Sequence, residues 1–256
     1  MYFVDTHSHL FWEHFEDDLQ QVVQRAKDAG IEKIVVPNVD LDTYEAMINL
    51  VDRYKQMMYP ALGLHPSSAK EDYQTVLDKL FSFFPIHDFC AIGEIGLDYY
   101  WDKTFVEQQK EAFRWQVRFA KEHNLPVIIH TRDSFDDVME IVEDEKTENL
   151  RGVFHCFTGT QEEAERILNL DGFYLGIGGV LTFKNSKLAN VVKEIPLERL
   201  VLETDSPFLT PHPYRGKRNE SAYLVLVARK LAEVKNVDLE TIARVTTENA
   251  ESLFGI

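Results

Sequence analysis

Short runs rich in Val, Ile, Phe and Tyr recur at residues 2–6, 33–37, 58–63, 89–94, 126–130, 152–155, 173–177 and 200–204. Their nearly continuous apolar character predicts strands of a parallel sheet covered on both faces. Between them apolar residues fall at three- and four-residue spacing, as at Leu19, Val22, Val23 and Ala26 and at Phe113, Val117 and Ala120, which is the period of a helix with one buried face. With His9, Pro37, His65, Glu94, His130, His155, Gly178 and Asp205 marking the strand ends, the repeat measures 23 to 36 residues, one strand and one helix each. Eight such units predict an α/β fold of the closed (β/α)8 TIM-barrel type, one domain over residues 1–256. A doubly wound open sheet is the alternative, but it predicts a glycine-rich turn after the first strand, where this chain has His7-Ser8-His9. Helices are expected at 221–234 and at about 239–253, the last packing beneath the barrel.

In such barrels the reactive groups gather at the carboxyl ends of the strands, and five of the nine histidines fall there: His7, His9, His65, His130 and His155. Side chains alternate along a strand. Counting by twos predicts that Asp5, His7 and His9 share the inner face while Val4 and Thr6 face the helices. The same count pairs Ile92 with Glu94, Ile128 with His130, Val153 with His155, and Glu203 with Asp205. Six groups, His7, His9, Glu94, His130, His155 and Asp205, are thereby expected to converge from five strands. A mixed imidazole and carboxylate set of that size suits Zn, Mn, Co or Fe, and two ions sharing Glu94 is the economical arrangement. Cys156 falls on the opposite parity from His155 and is expected in the core, as is Cys90. His14, His87 and His123 are expected at the surface, and His212 is left open.

Composition narrows the partners. A formal charge of −16 excludes a broad basic face of the kind that grips duplex DNA by counterion release. A hydrophobic content of 45% excludes a disordered chain, and two cysteines exclude a disulfide-stapled secreted fold. With neither a long apolar run nor a basic and apolar leader, the expectation is a cytoplasmic protein without a membrane partner. Against the acidic background, Arg215, Lys217 and Arg218 form the densest basic cluster and are candidate phosphate contacts, with Arg132 as a further one. Aromatic residues beyond the strand ends, namely Phe11, Trp12, Tyr99, Tyr100, Trp101, Phe157, Phe208 and Tyr214, either stack on bases or cap the barrel.

The blocks Asp5-Thr6-His7-Ser8-His9, Gly63-Leu64-His65-Pro66, Gly93-Glu94-Ile95-Gly96-Leu97-Asp98-Tyr99, Ile129-His130-Thr131-Arg132, His155-Cys156-Phe157-Thr158-Gly159, Glu203-Thr204-Asp205-Ser206-Pro207 and Arg215-Gly216-Lys217-Arg218-Asn219-Glu220 follow one another along nearly the whole chain. As an ordered set they resemble the TatD family of metal-dependent deoxyribonucleases. That resemblance implies a barrel holding two divalent ions, with Mg, Mn, Zn and Co undistinguished. One ion would be held by His7, His9, Glu94 and Asp205, and the other by Glu94, His130 and His155. It implies hydrolysis of phosphodiester bonds in DNA, in single strands or at ends, by a water that the two ions activate. Glu94, Asp205 and His65 would be the catalytic groups, with His65, Arg132, Arg215 and Lys217 toward the substrate. Related hydrolases that bridge their ions with a carbamylated lysine carry Lys at the end of strand four, where Glu94 stands. The rival readings are a hydrolase of the same scaffold acting on another small ester or amide, and a metal-occupied binding protein without turnover. A monomer is favoured.

Overall fold

In the computed structural model, which describes residues 1–256, each of the eight apolar runs forms a strand. They are β1 (Phe3–Asp5), β2 (Ile31–Pro37), β3 (Met58–Leu62), β4 (Ala91–Asp98), β5 (Val127–Arg132), β6 (Gly152–Phe154), β7 (Phe173–Ile177) and β8 (Leu200–Leu202). All pairs are parallel and follow sequence order, as the right-handed repetition of strand and helix dictates. The ring closes between β8 and β1. There the Thr6 amide donates to the Leu202 carbonyl at 3.0 Å, the Asp205 amide donates to the His7 carbonyl at 2.9 Å, and Ser8 bridges to Ser206.

The helices are α1 (Leu19–Asp28), α2 (Tyr44–Arg53), α3 (Tyr73–Phe81), α4 (Val106–Glu122), α5 (Phe135–Asp144), α6 (Gln161–Leu168), α7 (Leu188–Glu194), α8 (Leu224–Lys235) and α9 (Leu239–Phe254). Local chemistry sets several of their ends. Thr160 and Glu163 form a reciprocal capping box at the start of α6, and the Asp238 carboxylate accepts the Thr241 amide at the start of α9. Asn236 and Gly255 stop α8 and α9 in left-handed conformations. No helix is long and apolar enough to cross a membrane.

Two apolar layers hold the barrel. The larger lies between the sheet and the helices, and includes Phe3, Ile92, Val127, Ile129, Phe154 and Leu202. The smaller fills the barrel's interior, where Val4, Val35, Ala61, Ile128, Val153 and Val201 meet Ala250, Leu253 and Phe254 of α9. The last helix therefore plugs one end, as the sequence predicts, and the opposite end is left for polar side chains.

The strand β4 runs to Asp98, four residues beyond its predicted end, and all eight of its residues are buried. Its length depends on Gly96, which has φ +144 and lies so close to β5 that a Cβ would overlap the His130 carbonyl oxygen. Gly96→Ala is expected to destabilise the protein by at least about 1–3 kcal/mol, the usual cost of forcing an atom into close-packed structure. Urea unfolding measures it, and a variant as stable as the parent would show that β4 and β5 have room to separate.

Candidate metal centre

Simple alternation places two of the ligands. Ile128 and Val153 point into the barrel, and His130 and His155 follow them two residues on. Val201 sets the same parity for Glu203 and Asp205. On β1 and β4 alternation predicts the wrong neighbours. Val4 packs inside the barrel rather than against the helices, and the Asp5 carboxylate turns to Thr204, accepting its amide at 2.9 Å and its hydroxyl at 2.7 Å. It is the end of strand geometry after Asp5 that brings His7 and His9 inward. Ile92 likewise packs in the outer layer rather than sharing the face of Glu94, because the pairing of β4 with β5 shifts register between Ile92 and Ile95.

Glu94 is the hub of the cluster, and its two oxygens face different partners. Oε2 lies 3.2 Å from His7 Nε2 and 3.6 Å from His9 Nε2. Those two nitrogens are 3.1 Å apart, and Asp205 Oδ1 stands 3.9 and 3.7 Å from them. Oε1 faces His130 Nδ1 at 2.8 Å, His155 Nε2 at 2.9 Å and His65 Nε2 at 3.5 Å. All six residues expected to converge do so, and His65 joins the second group with its other nitrogen 2.7 Å from the Ser67 hydroxyl.

Two further carboxylates stand behind the imidazoles. Asp98 Oδ2 is 2.9 Å from His130 Nε2, while Oδ1 accepts the amides of Tyr100 at 2.9 Å and Trp101 at 3.3 Å. Glu203 is fully buried, with Oε1 3.4 Å from His155 Nδ1 and accepting the Cys156 amide at 2.6 Å. Gly176 makes that possible, since a Cβ there would collide with the Glu203 carboxylate. Neither acid was assigned a role from the sequence, although Glu203 shares the parity of Asp205 and Asp98 lies within the block Gly93–Tyr99. Carboxylates so placed fix the tautomer and orientation of a ligating histidine.

The charge balance suits cations. Burial alone would raise Glu94, but the surrounding imidazoles of His155, His65, His7 and His130 outweigh it and hold the carboxyl well below its usual range. Burial and the neighbouring His155 charge push His7 well down, and burial lowers His65. Burial also opposes charge on His130 and His155, yet Asp98 and Glu94 raise the first, and Glu94 and Glu203 raise the second well above the ordinary value. Asp205 is pushed up to about 6, chiefly by burial. The nearly parallel rings of His7 and His155 stack 3.9 Å apart, and His7 Nδ1 and His9 Nδ1 are buried without a partner. Imidazole nitrogens and carboxylate oxygens crowded this closely, with too few protons to link them, fit divalent ions as their common partner.

The cluster opens into a cavity of about 550 Å³ whose walls include Trp12, Trp101, Arg132, Cys156 and Phe208. Cys156 therefore departs from its expected place in the core: β6 ends at Phe154, and a left-handed backbone at Cys156, with φ 49, turns the residue to the cavity. Arg132 is the one Lys or Arg in the lining and has no carboxylate partner; its guanidinium lies 3.8 Å over the Tyr100 ring. Arg215 and Lys217 are not in the lining. Arg215 donates to the Thr210 carbonyl and stacks 3.7 Å over Phe183, Lys217 lies over Tyr214, and Arg218 pairs with Asp18. His14, His123 and His212 are exposed, His87 is half-buried, and Phe157 is in the core. An adjoining cavity of about 500 Å³ carries Asp133, Asp136, Asp137 and Glu163.

Comparison with known proteins agrees with this arrangement. The family described as TatD related DNase matches residues 4–255. The uncharacterized metal-dependent hydrolase YabD of Bacillus subtilis is 47% identical over 98% of both chains, and YcfH of Escherichia coli, of the same description, is 36% identical over 100% of this chain and 97% of its own. The crystal structure of YjjV, a TatD homologue from Escherichia coli, superposes with a TM-score of 0.93 at 32% identity, covering 99% of this chain and 98% of that one.

Glu203→Gln keeps the shape behind His155 and removes the charge. It is expected to weaken divalent-metal affinity by about 10–100-fold in competition with a chelator of known affinity, and an unchanged affinity would reduce Glu203 to a packing role. The proton that Glu94 and Glu203 hold on His155 must leave before its Nε2 can ligate, so metal affinity falls as pH is lowered. Adding Zn²⁺ to metal-free protein in weak buffer near neutral pH is expected to release protons in a pH-stat titration, and binding without release would contradict the assignment of His155.

Proposed function

The chain belongs to the TatD-related DNase family of metal-dependent hydrolases, and from that premise we propose that it hydrolyses phosphodiester bonds of DNA, in single strands or at ends, with two divalent ions. The observation that carries this reading is the division of labour at Glu94, whose two oxygens face two separate sets of donors. His7, His9, Asp205 and Glu94 Oε2 would hold one ion, and Glu94 Oε1 with His130 and His155 the other. Such ions activate water at neutral pH and neutralise charge on a transferring phosphoryl group.

The chain's own groups supply the rest. Asp98 holds the ring of His130 by a hydrogen bond and Glu203 stands 3.4 Å behind His155, which favours inward nitrogens already aimed at the cluster. Asp205 Oδ1, which faces the His7 and His9 nitrogens, would take a proton from the attacking water. Arg132 presents an unpaired guanidinium at the cavity wall and would take two phosphoryl oxygens in its planar fork. His65 stands between the cluster and the cavity, where it would contact the same phosphate as well as Glu94. Arg215 and Lys217 would reach substrate only beyond the cavity.

The test uses metal-stripped protein reconstituted ion by ion on end-labelled single-stranded DNA. His7→Ala and His130→Ala are expected to abolish cleavage with the circular dichroism spectrum intact, and Arg132→Ala to lower kcat/KM by about 100-fold, as loss of one anchored donor to a developing charge does. Full cleavage by either histidine variant would refute the site. A wild-type protein that cleaves no phosphodiester with any ion, but opens a lactone or amide, would replace the substrate assignment.

A further inference from the structure

Two large aromatic side chains stand at the cavity outside both apolar layers. Trp101 is 71% exposed on the loop after β4, and Phe208 is 43% exposed on the loop after β8, yet both line the same cavity as Glu94. Neither belongs to either apolar layer nor packs against one. Ligand cavities are commonly lined by aromatic side chains beside a few convergent polar groups, which is the setting of both residues.

Their positions are tied to the cluster. The Trp101 amide is held by Asp98 Oδ1, whose other oxygen holds His130, so the loop and the metal centre share one carboxylate. Phe208 meets the edge of Trp12 at 5.3 Å and 86°, and Trp12 in turn leans on His9 at 5.8 Å. Arg132 sits 3.8 Å over Tyr100 and 5.3 Å from the Trp101 ring centre. A phosphate on the free edge of Arg132 would therefore leave the attached nucleoside beside the Trp101 face.

We propose that Trp101 is a stacking platform for an unpaired DNA base next to the scissile phosphate, with Phe208 as the opposing wall, and that this platform makes the site select single-stranded over duplex DNA. The proposal rests on the phosphodiesterase reading above and adds the residue that sets substrate class. A base inside a duplex is stacked on its neighbours and presents no free face, so it would have to be extruded first, whereas an unpaired base stacks on an exposed indole at once.

The experiment compares single-stranded oligothymidylate with an abasic phosphodiester oligomer of equal length, on metal-loaded protein. Trp101→Ala is expected to raise KM for oligothymidylate about tenfold while leaving hydrolysis of the abasic oligomer unchanged, and Trp101→Phe to restore most of the difference. Tryptophan emission of chelator-treated wild-type protein is expected to be quenched by oligothymidylate and not by the abasic oligomer, with the quenching lost in Trp101→Phe. An unchanged KM in Trp101→Ala, equal losses on both oligomers, or no base-dependent quenching would overturn the platform. If wild type cleaves neither oligomer with any ion, the phosphodiesterase reading fails instead, and the quenching still decides whether Trp101 binds a base.

Discussion

A single ionised carboxylate at the barrel axis organises this molecule. Glu94 is buried, and an isolated charge in such a place would cost several kcal/mol. The protein offsets that cost with imidazoles on both oxygens rather than with a Lys or Arg. An imidazole, unlike a guanidinium, exists in a neutral form and can yield its place to a cation. The same geometry therefore suits either occupant: Glu94 and Glu203 favour a proton on His155, and a divalent ion bound at Nε2 would take that proton's place.

The barrel makes this tolerable by separating its two ends. Valines, alanines and Ile128 fill the interior down to the plug of α9, so the apolar packing is concentrated away from the polar end. That freedom lets the upper rim carry buried acids that would be liabilities in a core. Asp5 is satisfied by Thr204, Asp98 by His130 and two loop amides, and Glu203 by the Cys156 amide and its proximity to His155. Each of these acids fixes something that a ligand would touch.

The eight strands and the six converging residues were legible because burial on both faces writes an apolar run into the sequence and because strand ends follow at a regular interval. The reason they converge was legible only in part. Period-two counting holds for His130 and His155; it lands on Asp205 although β8 ends at Leu202 and Asp205 is left-handed, and it fails at Val4 and Ile92, where β1 ends early and β4 shifts register. Sequence periodicity carries no sign of such a shift. Cys156 is the same lesson in reverse, since one left-handed residue after β6 breaks the alternation that assigned it to the core. The basic run at 215–218 read as a phosphate loop because charge is visible in a sequence and its consumption is not. Phe183 and Asp18, far from it in the chain, occupy Arg215 and Arg218.

What is left after those pairings decides how an acidic protein would approach a polyanion. A net charge of −16 and a neighbouring cavity lined by Asp133, Asp136, Asp137 and Glu163 repel a nucleic-acid backbone over most of this face. Attraction would be confined to cations held by the cluster and to Arg132. With so few phosphate contacts, the backbone can supply little of the binding energy, in contrast to proteins that neutralise many phosphates at once. On the proposed reading, aromatic surface at the cavity would make up what the phosphates do not provide, because stacking is indifferent to the protein's net charge. On the proposed reading, an acidic surface with one free guanidinium and an exposed indole at the cavity of the cluster would favour a short unpaired segment over a duplex.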